Sequence, residues 1–301
     1  MCDYHQLVNL IKQRQFNDAI FIINGLTVLP TQPPNELSLL KHAVKSGDYD
    51  LIKALIDKGA SLDKSLPGND FLLSNALVLY NYNESTKIAK LLIDNGVDLH
   101  EEDSYHRRSI DFACNIYYVD NIKLLIDSGV DINDGSNNQY PIYTAIKHNY
   151  LIATKFLIDN GALLHDGIYS VMNVEMLNLL IEHYGRDIIH NKSKPLLTNL
   201  FNNHKHRLGE FRRKTIIKLI KLGVDINQSD EKGWTPLHYA VDKCDLKLVN
   251  LLLEYGADKS LVNNDGLNAS QLASSLGFGR LARDIDNYDT DNEYIKEPNL
   301  D

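Results

Sequence analysis

Few residues of this 301-residue chain have the types and spacing that chemistry requires. His204 and His206 could ligate a metal. No cysteine, third histidine or close carboxylate pair completes the set that a structural zinc site needs. The stretch from Lys205 to Lys221 holds seven Lys and Arg residues against Glu210. It could receive phosphates or an acidic partner, but a solvated loop running into the exposed face of a helix is the more ordinary use of such a run. Gly277-Phe278-Gly279-Arg280-Leu281-Ala282 has the spacing of a dinucleotide phosphate loop. Such a loop must follow a strand within a βαβ unit, and here it follows a helical pattern, so that reading fails. Cys2, Cys114 and Cys244 cannot build a disulfide framework and read as reduced thiols. Trp234 is the only tryptophan. An exposed tryptophan is the residue type that dominates protein contacts; its alternative use is packing against a neighbouring turn.

The elements that would position these residues come from a recurring phrase. Leu55-Ile56-Asp57-Lys58-Gly59-Ala60 returns with changes before Gly96, Gly129, Gly161, Gly185, Gly223 and Gly256. The intervals between these glycines are 37, 33, 32, 24, 38 and 33 residues. A period of this length predicts a stack of small units rather than one globular core. The best-formed unit runs from Asp230 to Asn263. Thr235 can cap a helix, and Pro236 at the next position needs no amide donor. Leu237, Ala240 and Val241 share one face. After Lys243-Cys244-Asp245, Leu246, Leu248, Val249, Leu251, Leu252 and Leu253 predict a second helix, which Gly256 ends. The same register places Ala43, Ala113 and Ala145 16 residues before Gly59, Gly129 and Gly161, as Ala240 stands before Gly256.

The turn Asp230-Glu231-Lys232-Gly233, then Thr235-Pro236-Leu237-His238-Tyr239-Ala240, then Leu252-Leu253-Glu254-Tyr255-Gly256-Ala257 resembles the ankyrin repeat. The resemblance covers roughly residues 3–286 and implies an all-α solenoid of about eight helix-turn-helix units with β-turn fingers. The N-terminal cap falls at about 3–25, the repeats at about 35–263 and the C-terminal cap at about 264–286, because terminal units must present one polar face. The resemblance also implies a partner protein on the concave surface of fingers and first helices. By register, Trp234, Glu231, Lys232, Asp242 and Lys243 face it in the best-formed unit. Asn137, Gln139, Lys147 and His148 do so in the unit ending at Gly161, and Tyr105 and Arg107 in the unit ending at Gly129. His238 is expected to hydrogen-bond backbone between fingers. Three units depart from the pattern. The one ending at Gly96 has four extra residues around Tyr80–Glu84. The one ending at Gly185 is nine residues short and is expected to lack its finger. The one ending at Gly223 opens at Lys194-Pro195-Leu196-Leu197 and has about eight extra residues in the basic stretch; insertions of this kind fit loops. The abundance of Asn, Ile, Lys and Tyr is similar to that of AT-rich genomes, such as giant viruses of amoebae and some intracellular bacteria.

A preorganised surface loses little entropy on binding. The expected function is therefore a non-catalytic scaffold or adaptor, monomeric, with no cofactor and no metal, directed at another protein. One alternative is that the repeats target an effector that modifies host proteins, although almost no chain lies outside them to carry a catalytic constellation. Another is a phosphate or nucleic-acid binder acting through 204–221, against which the net charge of −9 weighs. Residues 284–301 supply −6 of that charge, and the tail 287–301 is predicted to be disordered. Pro33-Pro34-Asn35-Glu36-Leu37 resembles an F-box adaptor motif, but the same residues fit the repeat register without a gap. No apolar run reaches the roughly 18 residues of a membrane span, and the first residues carry no secretory pattern. A cytoplasmic protein, in a host cell if the chain is host-directed, is the expectation.

Overall fold

The computed structural model describes residues 3–33, 36–63, 70–114, 119–134, 140–171, 173–190, 195–202 and 210–288. The chain divides into two compact units, Met1–Leu163 and Leu164–Asp301. Unit 1 contains α1 (Tyr4–Lys12), α2 (Phe16–Gly25), α3 (Leu39–Ser46), α4 (Tyr49–Asp57), α5 (Leu72–Leu77), α6 (Tyr82–Asp94), α7 (Ser109–Cys114), α8 (Val119–Asp127), α9 (Pro141–Lys147) and α10 (Leu151–Asp159). First helices pack on first helices, α1 on α3 and so on to α9, and second helices on second helices, α2 on α4 and so on to α10. Each hairpin thus rests on the one before and the one after, as a short repeating period requires. Unit 2 contains a 3-10 helix (His165–Ser170), α11 (Val174–Tyr184), a 3-10 turn (Arg186–Ile189), α12 (Leu196–Asn202), α13 (Glu210–Lys221), α14 (Pro236–Asp242), α15 (Leu246–Glu254), α16 (Ala269–Ser275) and α17 (Gly279–Asp286). Within it α11 packs on α13, α12 on α14 and α14 on α16.

The two recurring letters of the repeat have separate jobs. Ala43, Ala76, Ala113, Ala145 and Ala240 are fully buried in the first helices, where a methyl group lets neighbouring helices approach closely. The glycine ends the second helix. In α15 the Gly256 amide donates to the Leu253 carbonyl (2.8–3.0 Å across the motif), and the Ala257 amide reaches back to the Leu252 carbonyl. This pair of bonds needs a left-handed residue, supplied by Gly256 at φ 86°. The residue after glycine then turns inward: Val97, Val130, Ala162, Val224 and Ala257 are all buried. The phrase Leu-x-x-x-Gly-Ala/Val is therefore one helix stop with its apolar lock.

Two expectations require correction. The four extra residues before Gly96 form no loop. They add a turn to the start of α6, which begins at Tyr82 after the cap Asn81 and runs for 13 residues against nine in α4. The lengthened helix carries Ser85, whose hydroxyl donates to the Ala76 carbonyl (2.9 Å) and accepts from the buried Asn121 amide (2.9 Å). Gly185 is not a copy of the other stops. Its amide bonds only back to Ile181, its ψ is 173°, and a 3-10 turn follows instead of an inward apolar residue. In that short unit the 3-10 helix at 165–170 stands in place of a first α-helix. Only three residues separate it from Gly161, too few for a finger.

The outermost described pairs are clamped by lysines. Lys58 Nζ donates to the carbonyls of Asn24 and Leu26 at the C-terminal end of α2, both at 2.9 Å. Lys259 Nζ donates to the carbonyls of Ile285, Asp286 and Tyr288 at the end of α17, at 3.2, 2.8 and 2.8 Å. Cations at helix C-termini also meet the negative end of the dipole.

Candidate functional site

The finger of the best-formed unit is held from its root. The Asp230 carboxylate accepts from the backbone amides of Lys232 and Trp234 (both 2.9 Å) and from the Tyr239 hydroxyl (2.6 Å). Burial, with the Asp230 carboxylate beside it, pushes the Tyr239 hydroxyl well above its ordinary pKa. The next finger adds a second set of bonds. Asn264 donates from its backbone amide to the Lys232 carbonyl and from its side chain to the Glu231 carbonyl, each at 3.0 Å. Gly233 sits between these bonds at φ 71°, and a Cβ there would lie 2.7 Å from Asn264 Oδ1.

On this support Glu231 and Lys232 are exposed at the tip. Trp234 is half-buried: its ring lies 5.1 Å from that of Tyr239 and 6.1 Å from that of His238. One face of the indole is thus spent on packing. His238 Nδ1 accepts from the Thr235 amide (3.2 Å), so Nε2 carries the proton and donates to the Leu267 carbonyl of the next finger (3.0 Å). Burial lowers the pKa of His238. Asp242 is exposed and Lys243 half-buried at the far end of α14, a helix length away from the finger.

In unit 1, Lys147 and His148 are exposed at the end of α9. Lys147 Nζ stands 5.8 Å over the Tyr143 ring, and His148 stacks on Tyr150. Asn137 and Gln139 lie outside the described residues. Tyr105 is 73% exposed on the finger at 103–107. Arg107 stacks over Tyr105 (5.4 Å) and Phe112 (4.7 Å), while its Nε donates to Asp103 (2.7 Å). Burial opposes ionisation of Asp103, but the amides of Arg107 and Tyr105 and the guanidinium outweigh it and hold the carboxyl below its ordinary pKa. Arg107 occupies the register position of Trp234, and Phe112 that of Tyr239. A cavity of about 400 Å³ opens between this finger and α5, walled by Phe71, Val78 and Phe112.

Register also uncovers residues that the motif alone does not single out. The position of His238, two before the buried alanine, is Lys41 in α3 and Asp111 in α7. Lys41 is buried and reaches Asp70, 29 residues on, at 2.7 Å, just as His238 reaches Leu267 across the same interval. Asp111 is 4% exposed. Its Oδ2 accepts from the Arg108 amide (2.9 Å), while its buried Oδ1 has no hydrogen-bond partner among the described residues. Burial pushes its pKa from 3.8 up to about 6, with Arg108 and Arg107 pulling the other way. Arg108 itself is engaged by Glu102 and Asp134.

The basic stretch is only partly described. Residues 203–209, with His204 and His206, lie outside the described residues; Arg213 is occupied by buried Asp245 at 3.4 Å. Cys114 and Cys244 are free thiols, and Cys2 is outside the described residues. Among the described residues no cluster of His, Cys, Asp or Glu could hold a metal ion, and no helix is long and apolar enough to cross a membrane.

The family model for ankyrin repeats matches residues 40–134, 164–263 and 206–283. Similar proteins include ankyrin repeat protein FPV244 of fowlpox virus (strain NVSL), 40% identical over 70 residues that make up 23% of this chain and 10% of that protein. Human protein phosphatase 1 regulatory subunit 27 is 46% identical over 48 residues, 16% of this chain and 31% of the relative. Fowlpox virus FPV022 is 25% identical over 265 residues, 77% of this chain and 44% of the relative. The matched part of this chain spans less than half of each of these proteins. The family model covers well over half of the chain, and the glycine stops, the buried alanines and the His238 bridge between fingers are the physical content of its motif: this chain belongs to the ankyrin repeat family.

Proposed function

We propose that the chain is a non-catalytic scaffold or adaptor that binds a partner protein through its fingers and the adjoining ends of its first helices. Ankyrin repeats are in general a protein-interaction module. The observation that carries the reading furthest is the finger at 230–234. Asp230 and Asn264 fix its backbone, so the exposed Glu231 and Lys232 and the open part of Trp234 are presented without further ordering. The likeness to fowlpox virus proteins supports a host-directed role, and the free thiols and helical repeats suit a monomer in the cytoplasm.

The test is affinity capture from host-cell lysate with the wild-type chain and Trp234→Ala in parallel. A hot spot should lose about 2 kcal/mol or more of binding. Its packing against Tyr239 should also cost stability, so the melting temperature is measured alongside. A stability loss with unchanged affinity for every captured protein removes Trp234 from the binding face.

A further inference from the structure

The finger at 230–234 repeats the aromatic and acidic groups of the finger at 103–107 but lacks the arginine that balances them there. We propose that a partner protein supplies the missing charge: a basic segment whose arginine lies on the open part of the Trp234 ring, beside the carboxylates of Asp230 and Asp242. The inference rests on the protein-binding reading of this finger and names the chemistry that it recognises.

Counted back from the buried alanines Ala113 and Ala240, Asp103 matches Asp230, Arg107 matches Trp234 and Phe112 matches Tyr239. In the first finger the carboxylate is neutralised from within. Arg107 Nε donates to Asp103 (2.7 Å), and its guanidinium lies 4.7 Å from the Phe112 ring. In the second finger the indole takes the arginine's place, 5.1 Å from the Tyr239 ring. Asp230 is left with neutral donors, the amides of Lys232 and Trp234 and the Tyr239 hydroxyl. Asp242 stands close enough to act on the same hydroxyl, adding to the rise that burial and Asp230 cause in its pKa. Two carboxylates therefore flank the aromatic pair.

The rest of this surface widens the imbalance. Glu231 is exposed at the tip, and Asp265 is exposed on the next finger, which Asn264 ties to this one. Among the described residues none of Asp230, Glu231, Asp242 and Asp265 has an ion-pair partner. Against these four carboxylates stand two ammonium groups, Lys232 on the finger and Lys243 at the far end of α14. The first helices packed on either side, α12 and α16, contain no charged residue. Burial lowers the pKa of His238, so it adds no charge at neutral pH. Arg213 is taken by Asp245, and Lys259 by the carbonyls at the end of α17. In unit 1 cations lie over Phe71, Tyr105, Phe112 and Tyr143, but among the described residues none lies over Trp234. Indole is the ring that holds a cation best. A guanidinium lies flat on it and still offers N–H groups at its edge to a carboxylate.

The test uses the full chain and three fluorescein-labelled glycine-serine peptides read by anisotropy. One carries a central arginine between flanking lysines, one has citrulline at the centre, and one keeps the arginine between flanking glutamates. Trp234 is the only tryptophan, so its emission, followed with unlabelled peptide, reports where the peptide sits. The arginine peptide should bind about tenfold tighter than the citrulline peptide, which keeps the shape without the charge. It should change the Trp234 emission with the same midpoint. The glutamate-flanked peptide should bind weakest. Asp242→Asn, at an exposed site, should weaken the arginine peptide about threefold without lowering the melting temperature. Trp234→Phe keeps a ring against Tyr239 and should weaken it by about the same factor. Equal binding of the arginine and citrulline peptides, equal or better binding of the glutamate-flanked peptide, unchanged Trp234 emission, or full affinity in either variant overturns the assignment. If the arginine peptide fails while captured partners still depend on Trp234, only this inference falls. If it behaves as expected while Trp234→Ala changes the affinity of no captured protein, the cation site stands and the partner-binding reading of the finger falls.

Discussion

Asp111 offers the sharpest energetic test, because one atom of it is buried with nothing to bind. Among the described residues its Oδ1 lacks a partner while Oδ2 takes the Arg108 amide. Burial raises the carboxyl from 3.8 to about 6. At about 1.4 kcal/mol for each tenfold change in proton affinity, ionising it in the folded state costs about 3 kcal/mol. The sign follows from linkage: a folded-state pKa above the unfolded value gives stability that is fully present below 3.8 and is lost as pH rises through about 6. Asp111→Asn keeps an acceptor for the Arg108 amide and removes the charge, at the expense of its attraction to the two arginines. Urea midpoints followed by circular dichroism should nearly coincide for the two proteins at about pH 4. Above about pH 7 the variant should be the more stable by about 2 kcal/mol. His238 is the opposite case. Burial lowers its pKa, so its contribution is present above 6.5 and is lost as pH falls below that value. Comparing variant with wild type at each pH cancels that background. A difference that does not change with pH, or an asparagine variant that is less stable at neutral pH, refutes the reasoning.

Gly233→Ala should cost unit 2 about 2 kcal/mol or more, because the new Cβ meets both a left-handed φ and the Asn264 backbone; thermal unfolding reads it. Asp70→Ala should destabilise unit 1 by about 2 kcal/mol by stranding the buried Lys41 ammonium, and Lys41→Met in the same chain should restore most of the loss; an additive double variant contradicts the pairing. Hydrogen exchange should be faster in the 3-10 helix at 165–170 than in α15, since a six-residue 3-10 helix replaces a first α-helix; equal protection contradicts this.

The helix pairs were legible because each unit repeats two constraints that side chains cannot evade: a methyl group where helices touch, and a left-handed residue where the second helix stops. The insertion before Gly96 was misread because Tyr80-Asn81-Tyr82-Asn83-Glu84 is polar and has the composition of a loop, while Asn81 in fact caps a longer helix. Gly185 shared the letters of the other stops, yet Arg186 follows it where they have alanine or valine. That absent apolar lock was a visible signal of a different ending. At the candidate site, the finger of Trp234 was readable from its own motif. The cavity beside α5 was not, since Phe71, Val78 and Tyr105 come from different stretches and meet only when consecutive units stack. Lys41 and Asp111 were in plain view at the histidine position, but only comparison across units shows that one bridges to a carboxylate while the other, among the described residues, takes the Arg108 amide on one oxygen alone.

The lysine clamps at α2 and α17 bear on how such a stack comes apart. A hairpin with a single neighbour is the natural place for a zipper to open. Lys58 and Lys259 act there as hasps: each inserts an ammonium among two or three carbonyls that the helix itself cannot satisfy. Peeling the outer helix away must release all of these bonds together, which suppresses gradual unravelling from the rim. The weaker course runs through the middle of the chain, where the 3-10 segment replaces a helix and Gly185 lacks its lock. Within the helix pairs, a protease that waits for fluctuations should therefore cut between the hasps before it cuts the outermost pairs.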